Sequence, residues 1–178
     1  ESRDPAEIFA REIKKNAWIE DHLAQGEQFG QYWATGEFSY RSEYCATDGL
    51  VLVGDAFSFL DPVFSSGVYL ALRSGELAAE TIHQIFKTDG KFTAEKFVAY
   101  GKNFRNAVEI MRKIVYAFYD EKFSFGKLIR KDMNLRDPLT DCLIGNIDDQ
   151  DFSNLFRAMS ELADLPDPVN YGDVLRTA

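Results

Sequence analysis

The chain has 178 residues, the size of one ordinary domain or of one large piece of something bigger. Its 20 Lys and Arg face 29 Asp and Glu, a formal net charge of −9, so a polyanion would be held against the average field and no nucleic-acid partner is expected. A 46% hydrophobic fraction with 15 Phe and 8 Tyr supplies a packed core, which excludes a disordered chain.

Asp4-Pro5-Ala6-Glu7 reads as a helix start, with Asp as cap, Pro in the first turn and Glu reaching back. Phe9, Ile13 and Ala17, with Ile19 and Leu23, predict one helix from Pro5 to about Gln25 with a buried face. Glycines at 26, 30 and 36 interrupt, and Glu37 to Tyr44 alternates as a half-buried strand does. After the turn Thr47-Asp48-Gly49, the run Leu50-Val51-Leu52-Val53 is apolar on both faces and predicts a buried central strand. Val68, Leu72, Gly75, Ala79, Ile82 and Phe86 then form a helical stripe, read as core-facing, with Gly75 permitting close approach. A second long helix, about Thr93 to Tyr119, carries Phe97, Tyr100, Phe104, Val108, Met111, Val115 and Phe118 on one face. Beyond it, Phe123 to Lys131 is aromatic and basic, Asp137-Pro138 begins a short helix to about Ile144, and Asp151 caps another that ends before Leu165-Pro166-Asp167-Pro168.

Cys45 and Cys142 have no CxxC spacing, so neither a disulfide framework nor a zinc ribbon is available, and a reduced cytoplasm is the expected compartment. The Leu50–Val53 run is far short of the roughly 18 residues of a spanning helix, and the acidic start lacks the order of a secretion signal. His22 and His83 fall on different helices without a second ligand at metal spacing, so no metal is expected. Asp148, Asp149 and Asp151 lack the glycine and terminal glutamate of a calcium loop and read as a solvated turn and cap. A hydrolase built on Ser65 or Ser66 with His83 and Asp55 lacks the GxSxG elbow. Lys127, Arg130 and Lys131 read as a surface face or as a docking surface for further chain.

Chemistry concentrates between Val51 and Val68. A strand end delivers Asp55, a carboxylate able to accept hydrogen bonds from a sugar or polyol hydroxyl, with Gly54 leaving room for a ligand at the backbone. Pro62 biases Asp61 toward extended backbone, and the chain enters a helix through Ser65-Ser66-Gly67, whose free amides and dipole suit an anion.

The stretch Gly54-Asp55-Ala56, Phe59, Asp61-Pro62-Val63-Phe64-Ser65-Ser66-Gly67-Val68 resembles the second flavin-contacting motif of the FAD-dependent monooxygenase superfamily, and within it the tryptophan-halogenase-like, flavin-dependent halogenases. The resemblance runs from about Tyr44 to Ala79 and more faintly to Asp120. It implies FAD as cofactor, with Asp55 on the ribityl chain, Pro62 near the isoalloxazine, and Gly67 and Val68 amides at the pyrimidine edge beside Ser65 and Ser66. It places halide, chloride or bromide, at Ser66 and Gly67, and implies reduced flavin, dioxygen and a small organic substrate. No catalytic residue is singled out.

The sequence departs from that pattern at Phe57 and Ser58, where small residues are usual, and at Tyr69, which stands for a frequent histidine. It also holds no Gly-x-Gly-x-x-Gly after an early strand, no halogenase lysine motif and no tryptophan-rich motif. The reading is therefore a carboxyl-terminal portion of a larger flavoprotein, carrying half a flavin site and expected to bind FAD weakly alone. The expected fold is α+β and mostly helical: residues 1–90 carry the last strands of a Rossmann-like FAD-binding domain, and residues 91–178 a helical region packed on it. A flavin-dependent reductase, an aromatic hydroxylase, and a non-catalytic helical interaction module with a degenerate flavin motif are the other readings.

Overall fold

Asp4 opens the first helix as the sequence predicts, its Oδ1 accepting the Ala6 amide at 2.9 Å with Pro5 in the first position. The computed structural model describes residues 2–36, 38–148, 150–169 and 174–176, and divides into two compact units, residues 1–37 and 38–178.

In the first unit the single predicted helix is two: α1, Pro5–Lys14, and α2, Ala17–Leu23. The break is chemical. Asn16 turns its side-chain oxygen onto the amides of Trp18 and Ile19, at 3.1 and 3.2 Å, which starts a new helix instead of continuing the old one. The predicted buried face is also corrected: α1 and α2 bury no residue. Phe9 meets Tyr32 at 5.5 Å between ring centroids, but two short helices without a second layer cannot exclude water from such a pair.

The second unit begins with short antiparallel pairings. β1, Tyr40–Arg41, pairs with β4, Ser58–Phe59; β2, Ala46–Thr47, pairs with β3, Leu50–Val51, through a turn in which Gly49 adopts φ +75°. The hairpin is docked by its turn, since Asp48 Oδ1 accepts the Ala94 amide at 2.8 Å. The expectation of a buried central strand over Leu50–Val53 is corrected here. β3 stops at Val51 and has one neighbour, and Leu50 and Val53 are exposed. Among the described residues both sheets are two-stranded and antiparallel.

Helices carry the rest, so the mostly helical α+β class holds. α3 spans Gly67–Thr88; a short 3₁₀ turn, Ala94–Phe97, leads into α4, Val98–Tyr119; α5, α6 and α7 span Phe125–Lys131, Arg136–Ile144 and Ser153–Ser160. The α4 stripe packs as predicted from Phe97 to Val115, with Phe104, Val108 and Met111 at the centre of the core, while Phe118 reaches the surface. Phe152, not Asp151, takes the cap position of α7, while Asp151 just before it accepts the Ser153 amide at 2.8 Å. Arg112, buried on α4, forks onto Glu109 at 2.6 and 3.0 Å and donates to the Asp167 carbonyl at 2.5 Å, which ties the tail after α7 to the core.

The predicted core stripe of α3 is the finding that differs most. Leu70, Ser74, Ala78 and Ile85 face the core and Ile82 packs at its edge, whereas Val68 and Leu72 are 73% and 72% exposed, Ala79 is exposed, and Phe86, its ring edge-on to Phe92, is 67% exposed. α3 has two apolar faces, and α4 covers the other one.

Candidate functional site

Gly54, Asp55 and Ala56 form one 3₁₀ turn, two residues beyond the end of β3. Gly54 adopts φ +53°, and its amide donates to Ser74 Oγ at 2.7 Å while that hydroxyl donates to the Ala71 carbonyl at 2.9 Å. A Cβ at Gly54 would stand 3.4 Å from that of Ala71, so the close approach this glycine permits is to α3. Asp55 is exposed; its carbonyl accepts the Tyr40 hydroxyl, and its carboxylate takes no hydrogen bond or ion pair from a described residue.

The return to α3 is fixed by Asp61. Its backbone is extended, as Pro62 requires, and its Oδ1 accepts both the Val63 amide and the Tyr119 hydroxyl at 3.0 Å. The hydrogen bond to Asp61 raises the Tyr119 phenol above its ordinary value of 10.0. Pro62–Phe64 makes a second 3₁₀ turn, and the Phe64 ring meets Phe118 and Phe125 edge-on at 5.4 and 6.1 Å. Ser65 then adopts the left-handed region, φ +53°, which swings the chain into α3.

The mouth of α3 is bare. Buried Ser66 stands at the cap position but makes no side-chain capping bond, and a Cβ at Gly67 would find nothing within 4 Å. Leu70 donates to the Ser66 carbonyl at 2.9 Å, so the amides of Gly67, Val68 and Tyr69 precede the first intrahelical bond and have no acceptor within the helix. Gly54 touches Ala71, four residues or about 6 Å along the axis from Gly67, so the Asp55 turn and the helix mouth lie at one end of α3. The structure thus brings Gly54, Asp55, Pro62, Ser65, Ser66, Gly67 and Val68 into one neighbourhood.

The three departures from the family pattern lead away from that mouth. Phe57 is buried against Tyr100 and Phe104, Ser58 is buried under β1, and the Tyr69 hydroxyl donates to the Gly145 carbonyl at 2.6 Å with its ring where a Cβ at Gly145 would stand. Sequence reasoning missed Tyr40, Ser74 and Tyr119 as the groups that hold the two turns. Only Ser74, a polar residue on an apolar helix face, carried a signal.

Other constellations recede. His22 stacks on Trp18 at 3.9 Å, His83 is exposed, and the described residues contain no cluster of metal-ligating side chains. Asp148 pairs with Arg73 at 2.8 Å beside a cavity of about 310 Å³ lined by Arg73, Leu77, Asn103, Asn106 and Gln150; Asp149 lies outside the described residues. Both cysteines are buried, and burial pushes the Cys142 thiol up to about 12. Among the described residues no helix is long and apolar enough to cross a membrane.

A carboxylate on a 3₁₀ turn, a proline-bearing loop and an uncapped helix mouth thus follow one another between Gly54 and Gly67. The family model described as tryptophan halogenase matches residues 33–157, and the chain belongs to that family. It is 29% identical over 124 residues to the 1H-pyrrole-2-carbonyl-[peptidyl-carrier protein] chlorinase of Pseudomonas fluorescens, covering 70% of this chain and 27% of that protein. It is 33% identical over 108 residues to the corresponding brominase of Pseudoalteromonas luteoviolacea, covering 61% of this chain and 26% of the other. Among solved structures, the flavin-dependent brominase Bmp2 superposes with a TM-score of 0.65 at 28% identity, over 90% of this chain and 41% of that one. The chain therefore spans about a quarter of the length of these curated relatives.

Proposed function

We propose that Gly54 to Val68 form part of the flavin site of a longer flavin-dependent halogenase. That protein would be an FAD-dependent oxidoreductase of the monooxygenase class, using reduced flavin, dioxygen and chloride or bromide to halogenate a small organic molecule. The observation that carries this reading is the exposed Asp55 on a turn held against α3 by Gly54, together with the uncapped mouth of that helix, in a chain of the tryptophan halogenase family.

The residues fit the group. FAD presents polyol hydroxyls and an anionic pyrimidine edge, and this end of α3 offers a free acceptor, free amides and no side chain at Gly67 to obstruct them. Asp55 would accept from a ribityl hydroxyl, Gly54 sets the turn that carries it against α3, and Pro62 would pack near the isoalloxazine. Amides of Gly67 and Val68 donate to the pyrimidine edge, with Ser65 and Ser66 shaping the approach and Ser66 and Gly67 beside the halide. The dipole of α3 favours negative charge there by roughly 0.3–1 kcal/mol, and up to about 2 when partly buried. Bound FAD supplies the activation of dioxygen. The Phe64 ring, packed edge-on against Phe118 and Phe125, gives one side of the loop an apolar lining.

Residues 1–90 complete the FAD-binding part and 91–178 form the helical region over it, in a cytoplasmic protein whose pyrophosphate-binding glycine loop lies outside these residues. A pyrrole on a peptidyl-carrier protein is the first substrate to try, because the relatives acting on it match 70% and 61% of this chain. The longer protein, given that substrate, a flavin-reducing system, oxygen and bromide, is expected to yield a product heavier by bromine for hydrogen. A hydroxylated product independent of halide would favour the hydroxylase reading and contradict this one.

A further inference from the structure

The direction of the Gly67, Val68 and Tyr69 amides depends on how the first turn of α3 is held, because none of the three has an acceptor within the helix. Ser66 before them makes no side-chain capping bond, Gly67 has no side chain, and Val68 is 73% exposed. The grip falls to Tyr69. This half-buried side chain donates its hydroxyl to the Gly145 carbonyl at 2.6 Å, 76 residues later in the chain.

The receiving end is shaped for that ring. Gly145 closes α6 in the left-handed region, φ +81°, and a Cβ there would stand 2.6–2.9 Å from three ring carbons of Tyr69, closer than packed atoms tolerate. The accepting carbonyl lies at the carboxyl end of α6, where the last carbonyls lack intrahelical donors and the dipole is negative. One turn further along α3, Arg73 pairs with Asp148 at 2.8 Å, so the segment that follows α6 is fastened to α3 twice.

We infer that Tyr69 is a positioning residue: through Gly145 it fixes the rotation of the first turn of α3, and with it the aim of the amides that face the flavin pyrimidine edge. The inference rests on the flavin reading proposed above. Aim matters because an N–H···O bond weakens steeply below about 120°. Reduction of a flavin adds negative charge at that edge, so well-aimed amides favour the reduced form, and a first turn free to rotate loses the preference.

Tyr69→Phe keeps the ring against Gly145 and removes only the hydroxyl. In the longer protein it is expected to lose about tenfold more affinity for reduced than for oxidised flavin, a reduction potential lower by about 30 mV for a two-electron couple. Gly145→Ala displaces the ring and should lower the potential at least as far, and the double variant should fall short of the sum. Gly101→Ala is the stability control, since its obstruction is Cys45 and no residue of the α3 mouth, and it should leave the potential unchanged. In the 178-residue chain without flavin, the amide resonances of residues 67–69 should shift, and their order parameters fall, on Tyr69→Phe. An unchanged potential in folded Tyr69→Phe overturns the inference, and so does an equal shift in Gly101→Ala, which would make the effect one of stability alone. A wild-type longer protein without flavin fails the functional proposal, whereas flavin-bound wild type with an unaltered variant fails only this one. Unmoved resonances and order parameters in the Tyr69→Phe chain overturn it in either case.

Discussion

The Tyr119 hydroxyl, on the last residue of α4, donates to Asp61 Oδ1 at 3.0 Å, and the same oxygen accepts the Val63 amide. One carboxylate oxygen therefore fastens the loop before α3 to the end of α4. Tyr119→Phe is expected to lower the urea midpoint without changing the slope, and Asp61→Ala to lower it further because the Val63 amide also loses its acceptor. The phenol's pKa in the folded protein is raised by Asp61, so its bond contributes fully below the ordinary value of 10.0 and is lost as pH rises through the folded value. The difference in midpoint between wild type and Tyr119→Phe should accordingly be constant from neutral pH to about 9 and vanish in strong alkali, where ultraviolet titration shows the phenolate.

Gly54 and Ser74 form the second fastening, between the Asp55 turn and α3. Gly54→Ala places a side chain at φ +53° and 3.4 Å from Ala71, and left-handed backbone alone costs about 1–2 kcal/mol. Ser74→Ala leaves the Gly54 amide without its acceptor, at a cost of about 1–3 kcal/mol. Because both changes break the same contact, the double variant should fall short of the sum of the singles in denaturant titration. Additive losses would mean the two residues act independently.

In the core, a Cβ at Gly101 would stand 2.5 Å from Cys45 Sγ, so α4 meets the segment before β2 closely. Gly101→Ala is expected to cost about 1–3 kcal/mol by overpacking. Cys45→Ala removes the obstructing sulfur, and in that background the cost of Gly101→Ala should shrink, which a thermal denaturation series on the four proteins reads directly.

How much was legible in the sequence differs from element to element for physical reasons. The α4 stripe reads correctly because one face is aromatic and the other charged, so period and burial agree. α3 has apolar residues on two faces, and periodicity cannot say which one this chain covers; Val68 and Leu72 are exposed while Leu70 and Ile85 are core. The break at Asn16 was hidden because the hydrophobic spacing continues through a residue whose side chain caps a new helix. Leu50–Val53 is a core strand by composition, and within these residues only β2 pairs with it. The loop from Gly54 to Val68 was legible as a motif, but Tyr40 and Tyr119, which pin it, look like ordinary half-buried aromatics.

The most direct measurement is the flavin retained by the longer protein after purification, read as visible absorbance per mole, for wild type and for Asp55→Ala. With Asp55 holding the ribityl chain at the mouth of α3, the wild type is expected to keep its yellow colour and the variant to lose most of it while remaining folded by circular dichroism. A folded Asp55→Ala protein with undiminished flavin content would contradict the site.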